Sequence, residues 1–250
     1  MAIILGGNGV DAEVVIGPNI VTDGLIFYID PADTTSLVTK DNALLANNVE
    51  IDYVYGLLGD TQRVNLVSDT TGCPFYSVNN QGFISTGING AVSSRGKFSK
   101  ELVVGYNLSI DFWIAPNTSG GGTWLSADSV TNPVRYGHYP LLQTSAGAID
   151  TWGYRSISRT LINNKWINIV LVFTEETVAY YVDGTYRGRG TRDTSETLPA
   201  SKKIQVIGGI DTFPTGYGDG SFGPVKIYNR TLTAQEVYQN YNAMKKRYTI

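Results

Sequence analysis

The chain is poor in the residues that most often carry chemistry. Its 250 residues include one cysteine, Cys73, one histidine, His138, and two methionines. A lone thiol forms no internal disulfide and anchors no zinc site. One thiol and one imidazole also fall short of the clustered ligands that transition metals take. A secreted domain of this kind usually carries a bridge, so the pattern favours assembly in a reducing compartment. Only 16% of residues are charged, the net charge is −3, and no basic run is longer than Lys245-Lys246-Arg247. The electrostatic footprint of a nucleic-acid binder is missing. No apolar stretch approaches ~20 residues, so no membrane contact is expected. Met1-Ala2-Ile3-Ile4-Leu5 lacks the basic start and long apolar core of a signal peptide. The sequons at Asn107, Asn117 and Asn229 are accordingly read as chance.

What the chain does have is strand-forming material. It carries sixteen Tyr and twenty-eight Gly, which favour strands joined by tight turns in one large sandwich. Strands are expected over 23–30, 53–58, 64–67, 75–78, 83–86, 108–114, 177–182, 203–209 and 225–228. Leu108, Ile110, Phe112 and Ile114 fall on one face of theirs. Residues 166–173 are almost continuously apolar, as in a strand covered on both faces. Asp183-Gly184 between two β runs is a type I′ hairpin signal. Near the end, Asn229-Arg230 is turn chemistry, and Thr233 with Glu236 forms a capping box. Leu232 and Val237 occupy the hydrophobic-staple positions, and Val237, Tyr241, Met244 and Tyr248 make the apolar stripe of a closing helix.

Residues 1–23 read as an arm ahead of a domain at 24–250. Gly6-Gly7-Asn8-Gly9 separates two apolar runs, Ile3-Ile4-Leu5 and Val14-Val15-Ile16, with a short strand expected over 13–16. These runs are expected to pair with a neighbouring subunit, or else to complete the chain's own sheet. Arg187, Arg189 and Arg192 form a second candidate contact for an acidic partner, in Gly-punctuated sequence.

Several of these segments resemble the laminin-G-like branch of the concanavalin A-like lectin/glucanase superfamily, as found in bacteriophage virion proteins. The opening Asp23-Gly24-Leu25-Ile26-Phe27-Tyr28-Ile29-Asp30 is similar to that family's first strand, and Leu108–Ile114 to its inner Phe-Trp strand. The order of Trp166, Tyr181-Val182-Asp183-Gly184 and the terminal strand-turn-helix also matches. The resemblance spans roughly residues 24–250. It implies an all-β, concanavalin A-like jelly-roll sandwich of two antiparallel sheets with one short C-terminal helix. It further implies a non-enzymatic virion structural protein, a capsid decoration or accessory head or tail subunit, assembled in the host cytoplasm. Its partners would be other capsid or tail proteins and further copies of itself. The alternative is a lectin-like adhesin that binds host-surface glycan, and a glycoside hydrolase is the third reading.

The residues argue against the hydrolase. Retaining glycosidases need two carboxyl groups about 5 Å apart. The strand at 108–114 offers Asp111 alone, and Glu175-Glu176 are adjacent and better placed in a turn. No Gly-x-Ser-x-Gly elbow accompanies His138. For glycan stacking the candidates are Trp124, Tyr136, His138, Trp152, Tyr154 and Tyr217, with a core role for the tryptophans as the competing account. Superfamily members often hold calcium at the sandwich rim. Asp128, Asn132, Asp211 and Asp219, read as rim-loop residues, are the oxygen donors offered for it. No other cofactor is expected.

Overall fold

In the computed structural model the residues described are 3–4, 13–14, 19–46, 49–59, 62–68, 75–77, 83–85, 94–116, 122–129, 138–145, 148–151, 154–158, 165–192, 202–208 and 220–248. They form two large antiparallel sheets and one helix. The eight-stranded sheet runs Thr185–Thr191, Thr177–Val182, Ile167–Phe173, Leu108–Pro116, Gly220–Tyr228, Phe83–Ser85, Phe75–Ser77, with Leu25–Ile29 also paired to Gly220–Tyr228. The nine-stranded sheet runs Tyr154–Ser158, Ala148–Thr151, His138–Ser145, Gly122–Ser129, Lys202–Ile207, Ser94–Val104, Arg63–Ser68, Ile51–Tyr55, Leu37–Thr39. This is the jelly-roll sandwich that the strand pattern implies.

The core lies between the sheets and follows the two-residue alternation of strands. Ile110, Phe112, Ile114, Ile169, Leu171, Tyr180 and Val225 meet Val64, Leu66, Leu125, Ile204 and Ile207 there. On the other face of the eight-stranded sheet, Ser109, Asp111, Trp113, Asn168 and Val170 are also buried. The helix Ala234–Tyr248 covers that face, which explains why the strand at 167–173 is apolar at every position but Asn168.

Local sequence rules place this helix. Thr233 Oγ1 accepts from the Glu236 N–H at 3.2 Å, and Glu236 Oε2 accepts from the Thr233 N–H at 2.8 Å, a reciprocal capping box. Leu232 and Val237 are both buried in one apolar cluster, completing the staple. Met244 and Tyr248 are buried and Tyr241 half-buried, so the expected stripe faces the sheet. The ring of Trp113 stacks on Tyr248 at 4.3 Å and on Tyr241 at 5.8 Å. The hairpin at Asp183-Gly184 has φ of 51° and 71°, the left-handed pair that a type I′ turn demands. A Cβ on Gly184 would lie 2.8 Å from the Tyr241 ring, so this turn tucks against the helix.

Strands at Ser94–Val104, Gly122–Ser129, His138–Ser145, Ala148–Thr151 and Tyr154–Ser158 were not expected from the sequence. Gly, Lys and Ser dilute the apolar alternation in the first, where Gly96 exists because a Cβ would sit 2.3 Å from Val64. In the arm, Ile3–Ile4 pairs with Glu13–Val14 and with neither large sheet. The rest of that expectation, Leu5, Val15 and Ile16, lies outside the described residues. Among the described residues no helix is long and apolar enough to cross a membrane.

Candidate functional site

The structure redistributes the residues singled out by sequence. Trp124 is fully buried, and its indole N–H donates to Thr144 Oγ1 at 2.8 Å. A ring without an exposed face stacks on no sugar, so Trp124 is a core residue. The cause is non-local: register shifts on both sides of Leu125 turn Trp124 and Leu125 inward together. His138 opens the strand His138–Ser145, and Tyr154 opens Tyr154–Ser158. Tyr136, Trp152 and Tyr217 lie outside the described residues. Asp128 is not in a rim loop; it lies in the strand Gly122–Ser129, with its backbone opposite His138 and Lys203. Asn132, Asp211 and Asp219 lie outside the described residues. Among the described residues, no group of three or more His, Cys, Asp and Glu side chains converges to hold a metal ion.

Asp111, the acid that the strand Leu108–Pro116 offers to a glycosidase reading, is sealed beneath the helix. Its Oδ2 accepts from Lys226 Nζ at 3.0 Å and its Oδ1 from Asn168 Nδ2 at 2.7 Å, with both charged side chains essentially unexposed. The Lys226 ammonium also sits 5.9 Å from the centre of the Tyr28 ring. The Tyr28 hydroxyl donates to Asp30 Oδ2 at 3.1 Å, and both Asp30 oxygens accept from Arg247 Nη1 at 2.7 Å. Burial first, then the Asp30 charge, pushes the Tyr28 hydroxyl well above its usual range. Burial opposes the Arg247 charge, yet the Asp30 carboxylate holds its guanidinium firmly protonated. A third buried group, Asn240, accepts from the Val21 N–H at 2.8 Å and donates to the Tyr228 hydroxyl at 2.9 Å. This polar layer clamps the helix to the sheet. Within it Asp111 and Lys226 are sealed from solvent, and only the Arg247 end of the Asp30 pair is partly exposed.

The exposed chemistry lies on the outer face of the nine-stranded sheet. Val54, Val64 and Leu66 point into the core, so Tyr53, Tyr55, Arg63 and Asn65 alternate outward. Register places Tyr53, Asn65 and Lys97 in one cross-strand row, with Tyr55 opposite Arg63 in the next. The Tyr53 and Tyr55 rings stand 5.2 Å apart and nearly perpendicular, at 85°. The Arg63 guanidinium lies 4.7 Å over the Tyr53 ring, and the Arg63 N–H donates to Ser99 Oγ at 3.1 Å. Tyr55 is 39% exposed. The hydrogen bond with Tyr55, then desolvation, raises the Tyr53 hydroxyl above its usual range. Sequence reading identified this strand without singling out its tyrosines. The available signal was two Tyr two residues apart, opposite a strand bearing Arg and Asn on the same face.

A shallow groove of about 690 Å³ lies at one end of the other sheet, lined by Glu175, Glu176, Thr177, Thr191 and Arg192. Arg192 pairs with Glu175 at 3.9 Å and lies 5.9 Å over Tyr106. Arg192 is therefore half-buried in the groove wall, apart from Arg187 and Arg189, which are exposed on the strand Thr185–Thr191.

Residues 86–238 match the model of a laminin-G family described as the concanavalin A-like lectin/glucanases superfamily. The chain belongs to this superfamily. Solved structures agree in fold. Trypanosoma rangeli sialidase matches over 92% of this chain and 34% of its own, at 15% identity and a TM-score of 0.56. The same enzyme in complex with sialic acid matches with a TM-score of 0.54, at 14% identity, over 92% of this chain and 35% of its own. This superfamily member thus spans about a third of the sialidase chain. Domain 4 of AbnA, an extracellular arabinanase from Geobacillus stearothermophilus, was solved in complex with arabinotriose. It covers 87% of this chain and 98% of its own, at 14% identity and a TM-score of 0.46. No curated protein matches the sequence.

Proposed function

We propose that this superfamily member is a non-enzymatic carbohydrate-binding sandwich of a bacteriophage virion, with the Tyr53–Tyr55 face as its glycan contact. One observation carries the binding role: an exposed perpendicular Tyr pair beside Arg63, Asn65 and Lys97 on an open sheet face. Aromatic faces stack on sugar rings, and the phenol, amide and guanidinium groups bond the hydroxyls. The non-enzymatic reading is supported by Asp111, whose carboxylate is engaged by Lys226 and Asn168 in the buried layer under the helix. The virion setting rests on the sequence resemblance of residues 24–250 to phage laminin-G-like domains.

Binding of the purified protein to an array of oligosaccharides tests this reading. Tyr55→Ala should abolish the signal while the unfolding midpoint stays unchanged. No sugar bound by the wild-type protein, or binding indifferent to Tyr53 and Tyr55, would refute it. Hydrolysis of a bound glycan that Asp111→Asn removes would refute the non-enzymatic part. The face needs no metal, so chelation should leave binding intact; loss on chelation would return attention to the calcium reading at Asp211 and Asp219. Finding the protein in purified phage particles tests the setting.

A second reading, a decoration or accessory subunit of the capsid or tail, is favoured by the arm. Its strands Ile3–Ile4 and Glu13–Val14 bond to each other rather than to the sandwich. A two-stranded ribbon is marginal in water unless it packs on something else.

A further inference from the structure

We infer that the groove at the end of the eight-stranded sheet is a ligand site separate from the tyrosine face, and that it takes a small carboxylate with a hydroxyl or ammonium donor beside its acid group. Three parts of the sandwich build it. The turn after Ile167–Phe173 is held by Thr174, whose Oγ1 accepts from the Glu176 N–H at 3.3 Å and the Thr177 N–H at 3.0 Å. Glu175 and Glu176 stand exposed at its tip. Past the end of Thr185–Thr191, the Arg192 N–H donates to the Glu176 carbonyl at 2.7 Å, which fixes the arginine beside that turn. Thr191 lies opposite Thr177 in the hairpin register, and both line the groove. Tyr106, in the connection from Ser94–Val104 to Leu108–Pro116, packs partly on the core and is thereby held in place. The Arg192 guanidinium lies 5.9 Å over its ring.

The guanidinium selects the ligand. It is half-buried, and Glu175 approaches it only to 3.9 Å, beyond hydrogen-bond length. A planar ligand carboxylate suits the arginine fork, because it takes two parallel charge-assisted bonds that the mostly exposed Glu175 does not make. Two acids at the rim repel a bare carboxylate, so the ligand must also bring a donor. A hydroxyl or ammonium group next to its acid answers this, with the Glu176 carboxylate as acceptor. The volume of about 690 Å³ is that of a small-molecule cleft. Glu175 is then a resident competitor, partly neutralising Arg192 until the ligand's carboxylate displaces it. Sugar acids and α-amino acids share the required chemistry. The groove belongs to the opposite sheet from Tyr53 and Tyr55, and it stands or falls apart from that glycan contact.

Isothermal titration of the full-length protein with D-glucuronate, and separately with L-alanine, tests the site. Binding by glucuronate alone assigns it to sugar acids and binding by alanine alone to amino acids; either supports the proposal, as does binding by both. Arg192→Gln should weaken the binding by about tenfold or more, the scale of lost charge-assisted bonds. Arg192→Lys keeps the charge but not the fork and should also weaken it, which covers the case in which Arg192→Gln fails to fold. Glu175→Gln should instead tighten binding by about twofold to fivefold, the scale of an exposed ion pair. Excess D-glucose, which lacks the acid, should displace neither ligand, and Tyr55→Ala should leave both affinities as they are. Thermal unfolding verifies that each variant is intact. No binding by either ligand, or binding indifferent to both Arg192 changes, would overturn the proposal. Weaker binding in Glu175→Gln, displacement by glucose, or loss in Tyr55→Ala would each overturn it too.

Discussion

Replacing Lys226 by Met removes one ammonium and almost nothing else, which makes it a sharp probe of the layer beneath the helix. The aliphatic stem persists, so packing volume is nearly kept. Asp111 then remains buried with only the Asn168 amide as a described donor, and its Oδ2 loses the 3.0 Å partner it had. Breaking a buried pair by removing one member costs about 3–5 kcal/mol, because the surviving charge is left without compensation. Domains of ordinary stability have ~5–15 kcal/mol in total, so the variant should fold yet unfold at markedly lower denaturant. Changing the partner as well, Lys226→Met with Asp111→Leu, removes both charges. That exchange is often neutral or stabilising by about 1–4 kcal/mol. It also strands the Asn168 amide, at a cost of about 1–3 kcal/mol, so the double variant should fall close to wild type. The assay is chemical unfolding with the midpoint and slope fitted for both variants. A single variant losing less than about 1 kcal/mol, against the 3–5 kcal/mol expected, would refute the argument. A double variant no better than the single would do so too.

Other outcomes follow from particular groups. Thr233→Ala should cost about 1 kcal/mol, as helix-cap losses do, read as a lower unfolding midpoint. Hydrogen bonds from Arg230, ahead of the Thr233 contacts, lower the Glu236 carboxyl from 4.5 to about 2. Its stabilisation is complete above 4.5 and disappears as pH falls towards 2, so the stability gap between wild type and Glu236→Gln should close over that window. The gap should be small even at neutral pH, because a partly exposed pair is screened by solvent. Gly184→Ala forces a side chain into φ +71° and within 2.8 Å of Tyr241, and differential scanning calorimetry should show a lower melting temperature. In isothermal titration, Arg63→Ala should weaken sugar binding less than Tyr55→Ala, since the guanidinium lies over Tyr53 while the Tyr55 ring is the exposed platform.

The parts of this molecule that were legible in sequence are those fixed by neighbours along the chain. Thr233 and Glu236 are three residues apart and bond each other; Asp183-Gly184 closes a turn of its own. Such features require only local backbone geometry, and the strand, turn and helix at the C-terminus followed from them. Trp124 was misplaced because its direction is set by a bulge whose cause lies on the neighbouring strands, beyond the reach of a strict alternation. Asn240 gave no signal at all. A polar residue on a helix between apolar positions reads as surface, and only the Val21 backbone and the Tyr228 hydroxyl, 219 and 12 residues away, make it a buried clamp. The same applies to Asp111, which looked like a lone strand acid until Lys226 arrived from 115 residues away.

These long-range pairings also decide where a ligand can go. A sandwich has two outer faces, and each is a candidate platform for a partner. Here the helix takes most of one. Val237, Met244 and Tyr248 bury it, the Asp111–Lys226 and Asp30–Arg247 pairs close its polar groups, and Trp113 is stacked away. At one edge of it Tyr186, Arg187 and Arg189 are exposed. Along Ile51–Tyr55 and Arg63–Ser68, no described helix covers the opposite face. Its outward positions are half-buried to exposed and carry phenol, amide and guanidinium groups rather than a purely charged surface. A surface that only kept the protein soluble would not need two tyrosines held edge to face with an arginine over one of them. The capped helix therefore does more than close the fold. By covering one sheet it leaves the tyrosine face of the other exposed among the described residues, and that is the face proposed above as the glycan contact.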